Sequence, residues 1–135
     1  MQDKTVLSLA DAERILDAAQ KEAESQGWKV AIAVVDDGGH ALALRRLDGC
    51  APMGAYVATE KARSAALGGK ETQAFEDMIN GGRAAFLSVP ELKATMTGGV
   101  PVMVGGGLAG AVGVSGVKPE QDAQTAKAGV AAISD

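Results

Sequence analysis

Trp28-Lys-Val-Ala-Ile-Ala-Val-Val35, then Asp36-Asp37-Gly38-Gly39, then Ala41-Leu-Ala-Leu-Arg-Arg-Leu47 is the stretch that decides the fold. The first run is dense in β-branched residues and is bounded by acidic and glycine residues, which reads as a strand entering a turn. The run that follows is short enough to be the returning strand, and Asp48-Gly49 breaks it. Strands joined by so short a turn pair antiparallel, because a parallel pair needs a crossover of a dozen or more residues.

Upstream of this hairpin, Ser8-Leu-Ala-Asp11 resembles a capping box, with Val6 and Leu7 placed to act as a staple. Leu9, Ala12, Leu16, Ala19 and Ala23 then recur at helical spacing until Gly27. Downstream, Pro52 suits the first turn of a helix over Met53 to Leu67, which Gly68-Gly69 ends. Thr72 to Asn80 puts Phe75, Met78 and Ile79 on one face of another helix, stopped by Gly81-Gly82. Residues 83–97 carry no clear period, and Pro90 argues against a central strand there. Val100–Val104 and Leu108–Ser115 are apolar runs separated by three glycines, a second hairpin. Pro119 opens a last helix with Ala123, Ala126, Val130 and Ile133 on its face. The order is helix, hairpin, two helices, hairpin, helix. It predicts one α/β (α+β) domain over residues 1–135, with a mostly antiparallel sheet of about five strands flanked by helices.

Hydrophobic residues make up 47% and charged residues 22%, a soluble globular profile. Aromatics are only 3%, while 18 Gly and 26 Ala leave about a third of the chain with almost no side chain. Such a chain builds a thin core, so the composition hints at oligomerisation through close backbone approach. A net charge of −4 argues against nucleic-acid binding, and four aromatics are too few for a base-stacking platform. One Cys and one His exclude an internal disulfide and a four-ligand structural zinc site. The N-terminus lacks a basic stretch followed by a long apolar run, and no segment approaches the ~18 apolar residues of a membrane span. The expectation is a cytoplasmic protein.

Gly105, Gly107 and Gly110 satisfy G-x-G-x-x-G, but a dinucleotide fingerprint must open a helix, and Ala111-Val-Gly-Val-Ser115 is strand-like. The cluster reads instead as a glycine-rich hairpin where Gly110 and Gly113 let another backbone or a ligand come close. Gly69-Lys70 fails as a P-loop, since Ser64 stands where the motif needs glycine and Glu71 replaces Ser/Thr. His40 and Cys50 flank the second strand, roughly 25–30 Å apart at ~3.3 Å per residue, too far for a dyad within one chain. His40 reads either as a hairpin-end residue or as an axial metal or haem ligand. Met53, Met96 and Met103 would be weak second ligands or core filler. Asp36, Arg46 and Asp48 close the strands, and Lys61 and Arg63 lie on the next helix. Arg46, Lys61 and Arg63 suit carboxylate recognition. They read equally as surface charge, with a Glu60–Arg63 or Glu60–Ser64 helix pair.

Val-Val-Asp36-Asp-Gly-Gly39-His-Ala-Leu, then Arg46-Leu-Asp48-Gly49, then Lys61-Ala62-Arg63-Ser64-Ala65 resembles the GlcG/PduO-C-terminal/HbpS family. The second half agrees, with Gly98-Gly99-Val-Pro101, the glycine run to Gly110, Gly113-Val-Ser115-Gly116, Asp122, Ala126 and Gly129. The resemblance covers residues 6–133 and lies in the ordered set rather than in any one piece. Cys50 departs from the usual alanine after Asp-Gly, and Ser64 from the common threonine. The resemblance implies a compact, profilin-like antiparallel sheet with packed helices, in homo-oligomers as large as octamers. It also implies haem binding in some members, and roles beside glycolate oxidation, propanediol use or aromatic catabolism in others.

The leading expectation is therefore a homo-oligomer that binds a small molecule, with haem or another tetrapyrrole as the named ligand. A glycine-lined cleft (Gly105, Gly107, Gly110) would take the ring, Arg46, Lys61 and Arg63 the propionates, and His40 the iron. One alternative is an enzyme acting on a small carboxylate or carbonyl metabolite, with Asp36, Asp48 and Lys61 as acid–base groups. Another is a structural or assembly role built on the small residues.

Overall fold

Ser8 closes a complete capping box with Asp11 at the start of α1 (Leu9–Gln26), and Gly27, at φ 75°, ends that helix in the left-handed region. The computed structural model describes residues 1–133. After α1 come β1 (Ala31–Asp36), β2 (Ala41–Arg46), α2 (Met53–Gly68), α3 (Thr72–Asn80), a 3-10 turn (Ala84–Ser88), β3 (Gly99–Val104), β4 (Gly107–Ser115) and α4 (Pro119–Val130).

The strands form one sheet in the order β2-β1-β4-β3, with every pairing antiparallel. The expected hairpins are its two halves, joined where β1 pairs β4 from Ala31–Ser115 to Asp36–Gly110. The sheet has four strands among the described residues, not about five. Residues 83–97 supply no further strand. They hold the 3-10 turn and an irregular, mostly exposed run around Pro90, which cannot donate to a ladder.

Strand alternation sends side chains to two unlike faces. On one face Val30, Ile32, Val34, Val100, Val102, Val112 and Val114 pack under α1 and α4, meeting Ile15, Leu16, Ala19 and Ala126. On the other, Ala31, Ala33, Val35 and Ala111 pack under α2 through Ala58, Ala62, Ala65 and Ala66. This second face is close-packed down to the backbone. A Cβ at Gly113 would lie 2.0 Å from the Ala58 carbonyl oxygen and 2.5 Å from the Ala62 nitrogen. Part of the glycine and alanine surplus is thus used inside the chain, where helix backbone approaches strand backbone. Beyond α2, Phe75 of α3 is buried and stacks on Phe86, ring centroids 5.3 Å apart.

Candidate functional site

The β1–β2 hairpin ends in a tight acidic turn. Asp36 Oδ1 accepts the Gly38 and His40 amides, both at 2.9 Å, and lies 3.1 Å from His40 Nδ1. Burial pushes Asp36 up. The amide bonds and the imidazole outweigh it, so its carboxyl ends below the ordinary range. The His40 side chain is 77% exposed. Gly39, at φ +80°, tucks this turn against α2, since a Cβ there would sit 2.7 Å from Arg63 Cγ.

From that contact a groove of about 620 Å³ runs between β2 and α2, lined by Leu44, Pro52, Ala55, Tyr56 and Thr59, with Arg46, Glu60 and Arg63 as its charges. Register explains the lining. Leu44 lies opposite Ala33 and Arg46 opposite Ala31, both on the face that α2 covers. Because β2 is the edge strand, these two project past the helix rather than under it. Arg46 donates to the Cys50 carbonyl from Nε and Nη2, at 3.1 and 2.8 Å. Arg63 holds Glu60 through Nε and Nη2, at 3.1 and 3.3 Å. A guanidinium has five N–H donors, so both arginines keep donors for a ligand. The groove's size and its mix of apolar wall with few polar groups are those of a small-molecule site.

The other candidates lie elsewhere. Lys61 and Asp122 are each 3% exposed, so Lys61 is not a surface charge. Its Nζ donates to Asp122 Oδ2 at 3.1 Å and to the Val114 carbonyl at 3.0 Å. Burial pushes the Asp122 carboxyl up against the opposing pull of the Lys61 ammonium. Asp48 is exposed beside Trp28 and Lys29 at the far end of the hairpin from Asp36. Asp36, Asp48 and Lys61 therefore share no pocket. Gly105 and Gly107 line a separate shallow pocket with Lys4, Thr5 and Leu108. Gly110 is internal, with Val35 carbonyl and Leu7 filling the space a side chain would need. His40 and Cys50 stand beyond opposite ends of β2, and burial pushes the Cys50 thiol up. The Glu60–Arg63 helix pair is present.

Two of these residues, Lys61 and Asp122, carry a signal in the helix period, and two more, Tyr56 and Leu44, carry none. Lys61 falls on the stripe Gly54, Ala58, Lys61, Ala65, the spacing that faces the sheet, so its burial is written in the helix period. Asp122 lies beside Ala123 and Ala126 on the buried side of α4. Tyr56 and Leu44 reach the groove because of where α2 ends up across the edge strand, which no local spacing announces. No group of three or more His, Cys, Asp or Glu among the described residues is placed to hold a metal ion, and no helix among them is long and apolar enough to cross a membrane.

An antiparallel sheet sandwiched by helices, with one lateral groove holding two guanidinium groups, defines a small α+β domain built around an edge-strand site. The chain belongs to the haem degrading protein HbpS-like family, whose model matches residues 7–131. It is 54% identical over 115 residues to Protein GlcG of Escherichia coli (strain K12), covering 85% of each chain. A doubly substituted HbpS from Streptomyces reticuli superposes with a TM-score of 0.90 at 31% identity, covering 100% of this chain and 92% of that one. The PduOC:haem complex superposes with a TM-score of 0.84 at 27% identity, covering 96% of each.

Proposed function

We propose that the chain binds haem, or a closely related tetrapyrrole, in the groove between β2 and α2. The observation that carries this is the convergence of Arg46 and Arg63 on one apolar groove. A tetrapyrrole presents a flat apolar ring and carboxylate arms. Leu44, Pro52, Ala55 and Tyr56 offer the ring a wall, and the two arginines offer the propionates charge-assisted donors. Lys61 takes no part, because its ammonium is committed to Asp122. The likeness to the PduOC:haem complex supports the same ligand class.

His40 is the residue suited to the iron. It follows Gly39, whose backbone packs against Arg63, one of the groove's charged residues. A hydrogen bond from Nδ1 to Asp36 leaves Nε2 as the lone-pair nitrogen on a side chain that is 77% exposed. Ligating histidines commonly use the other ring nitrogen in this way. Bound haem would supply a redox-active iron, which His40 would hold while Asp36 orients its imidazole.

Titration of the purified protein with haemin tests the reading. A saturable, shifted Soret band is expected. Arg46→Ala and Arg63→Ala should each weaken binding about tenfold, the value of one hydrogen bond to a charged group at ~1.5 kcal/mol. His40→Ala should move the band while leaving the fold intact. The reading fails if no saturable band forms, or if both arginine variants bind like the parent.

A further inference from the structure

We propose that a pocket at the Asp48 end of the first hairpin binds a zwitterionic small molecule, an amino acid or betaine that carries one carboxylate and one ammonium. The pocket has a volume of about 550 Å³ and lies where the end of α1 meets the start of β1 and the end of β2. That volume falls in the range of small-molecule sites. It is separate from the groove between β2 and α2, with Arg46 alone lining both.

The charges select the ligand. Lys29 and Arg46 bring two cations to the pocket, and Glu24 and Asp48 bring two carboxylates. Among the described residues, none of these four forms a salt bridge. Arg45, the remaining charge, is already matched by Asp17 at 2.9 Å. The lining is therefore balanced in net charge while its opposite charges stay apart. A plain carboxylate would satisfy the cations but face two like charges, and a plain cation would meet the reverse. A molecule bearing both signs answers both sets through charge-assisted contacts.

The pocket is also organised around these groups. Arg45 Nη1 donates to Gln20 Oε1 at 2.9 Å, which turns the Gln20 amide nitrogen toward Glu24 Oε1 as its donor. Glu24 Oε2 is left to accept from an ammonium. Glu24 stands in the last turn of α1, where the helix dipole adds negative potential. The stem of Lys29 lies on Gly49, where a Cβ would come 2.6 Å from Lys29 Cδ. Trp28 packs half-buried on the core beside them and offers an ammonium an aromatic surface. The ammonium thus belongs against Glu24 and Trp28, and the carboxylate against Lys29 and Arg46.

Trp28 is the chain's one tryptophan, so its fluorescence reports on this pocket directly. Titration of the haem-free protein with γ-aminobutyrate and with glycine betaine is the test, with isothermal calorimetry as the second measurement. At least one of the two should give a saturable signal, half-saturating at or below about 1 mM. Butyrate, which lacks the ammonium, and choline, which lacks the carboxylate, should each bind at least about tenfold more weakly, the ratio for losing one hydrogen bond to a charged group. Glu24→Gln and Lys29→Gln should each weaken the zwitterion by the same ratio. Both side chains are exposed, so the far-ultraviolet circular dichroism should not change. Lys127→Gln removes a charge from a different pocket and should bind like the parent. Three results overturn the proposal: no saturable signal from either zwitterion, butyrate or choline binding as tightly as the better zwitterion, or both charge variants binding like the parent. Arg46 is left unchanged because it also lines the groove, so haemin binding and zwitterion binding succeed or fail independently.

Discussion

The two faces of the sheet hold their helices by opposite means. Under α1 and α4 the distance is set by the volume of branched side chains, with Ile15, Ile32, Val34, Val112 and Val114 fully buried. Under α2 it is set by the lack of volume, with alanines over alanines and Gly113 against the Ala58 carbonyl. A valine face tolerates modest changes in shape because neighbouring side chains can move. A glycine contact with a helix backbone has nothing that can give. The close face is also the one that carries the groove. Rigid seating of α2 fixes Arg63 and Tyr56 relative to Arg46, which is what a carboxylate-gripping site needs.

The largest break in this arrangement should come at the ion pair that ties the two faces together. Lys61 on α2 reaches Asp122 on α4 past the Gly98 end of β3, where a Cβ on Gly98 would lie 2.8 Å from Lys61 Nζ. Asp122→Ala leaves a buried ammonium with only a carbonyl partner and should cost about 3–5 kcal/mol in urea denaturation. Lys61→Met should cost clearly less, since the remaining carboxyl, already pushed up by burial, can take a proton and become neutral. Equal losses in the two variants would show that packing, not charge, dominates there.

Next in size is the contrast between the faces themselves. Gly113→Ala should cost about 3 kcal/mol or more, because the added methyl meets backbone on two sides. Ile32→Val on the opposite face should cost only about 0.5–1.5 kcal/mol. Gly107→Ala, with no neighbour nearer than the Val104 carbonyl oxygen at 3.7 Å, should stay within about 0.5 kcal/mol. A Gly113 variant as stable as the Gly107 variant would mean that α2 shifts freely, and the argument for a rigid site would fall with it.

Local chemistry explains why most of the fold was readable. The capping box at Ser8, the glycine stops at Gly27 and Gly68-Gly69, and the hairpin turns are each written within a few residues. The strand count was overestimated because residues 83–97 offer apolar residues without a partner strand. The proposed site is half legible. Arg46 and His40 stand out as charged or potentially ligating groups at the two ends of β2, and Arg63 as a charge on α2. Lys61 looked equally basic, yet its position in the helix period turns it inward to Asp122, some 60 residues on, and a pairing at that separation leaves no local trace. Gly105 and Gly107 followed a motif whose meaning depends on a helix that is not there. Tyr56 was invisible for a different reason, since its role depends on which side of α2 the edge strand leaves open.

The smallest expected effect separates the two carboxylates at the two regions by sign. Asp36 is held below the ordinary carboxylate range in the folded chain, although burial alone would raise it, because amide donors and the imidazole favour its charged form. Its contribution to stability is therefore present above the unfolded value of about 3.9 and is lost as pH falls through the lower folded value. Asp122 is held above its ordinary range, chiefly by burial, so the folded state binds its proton more tightly than the unfolded one. Its contribution runs the other way, falling as pH rises from about 4 through the raised folded value. Urea midpoints measured across this acid range should show Asp36→Asn flattening the low-pH limb, by under about 1 kcal/mol for a partly exposed group. Asp122→Asn should remove the slope above pH ~4 instead, on top of its larger constant loss. If both variants flatten the same limb, the turn at His40 and the buried pair at Lys61 are not electrostatically distinct. The case for Asp36 as the orienting partner of a ligating His40 would then lose its physical basis.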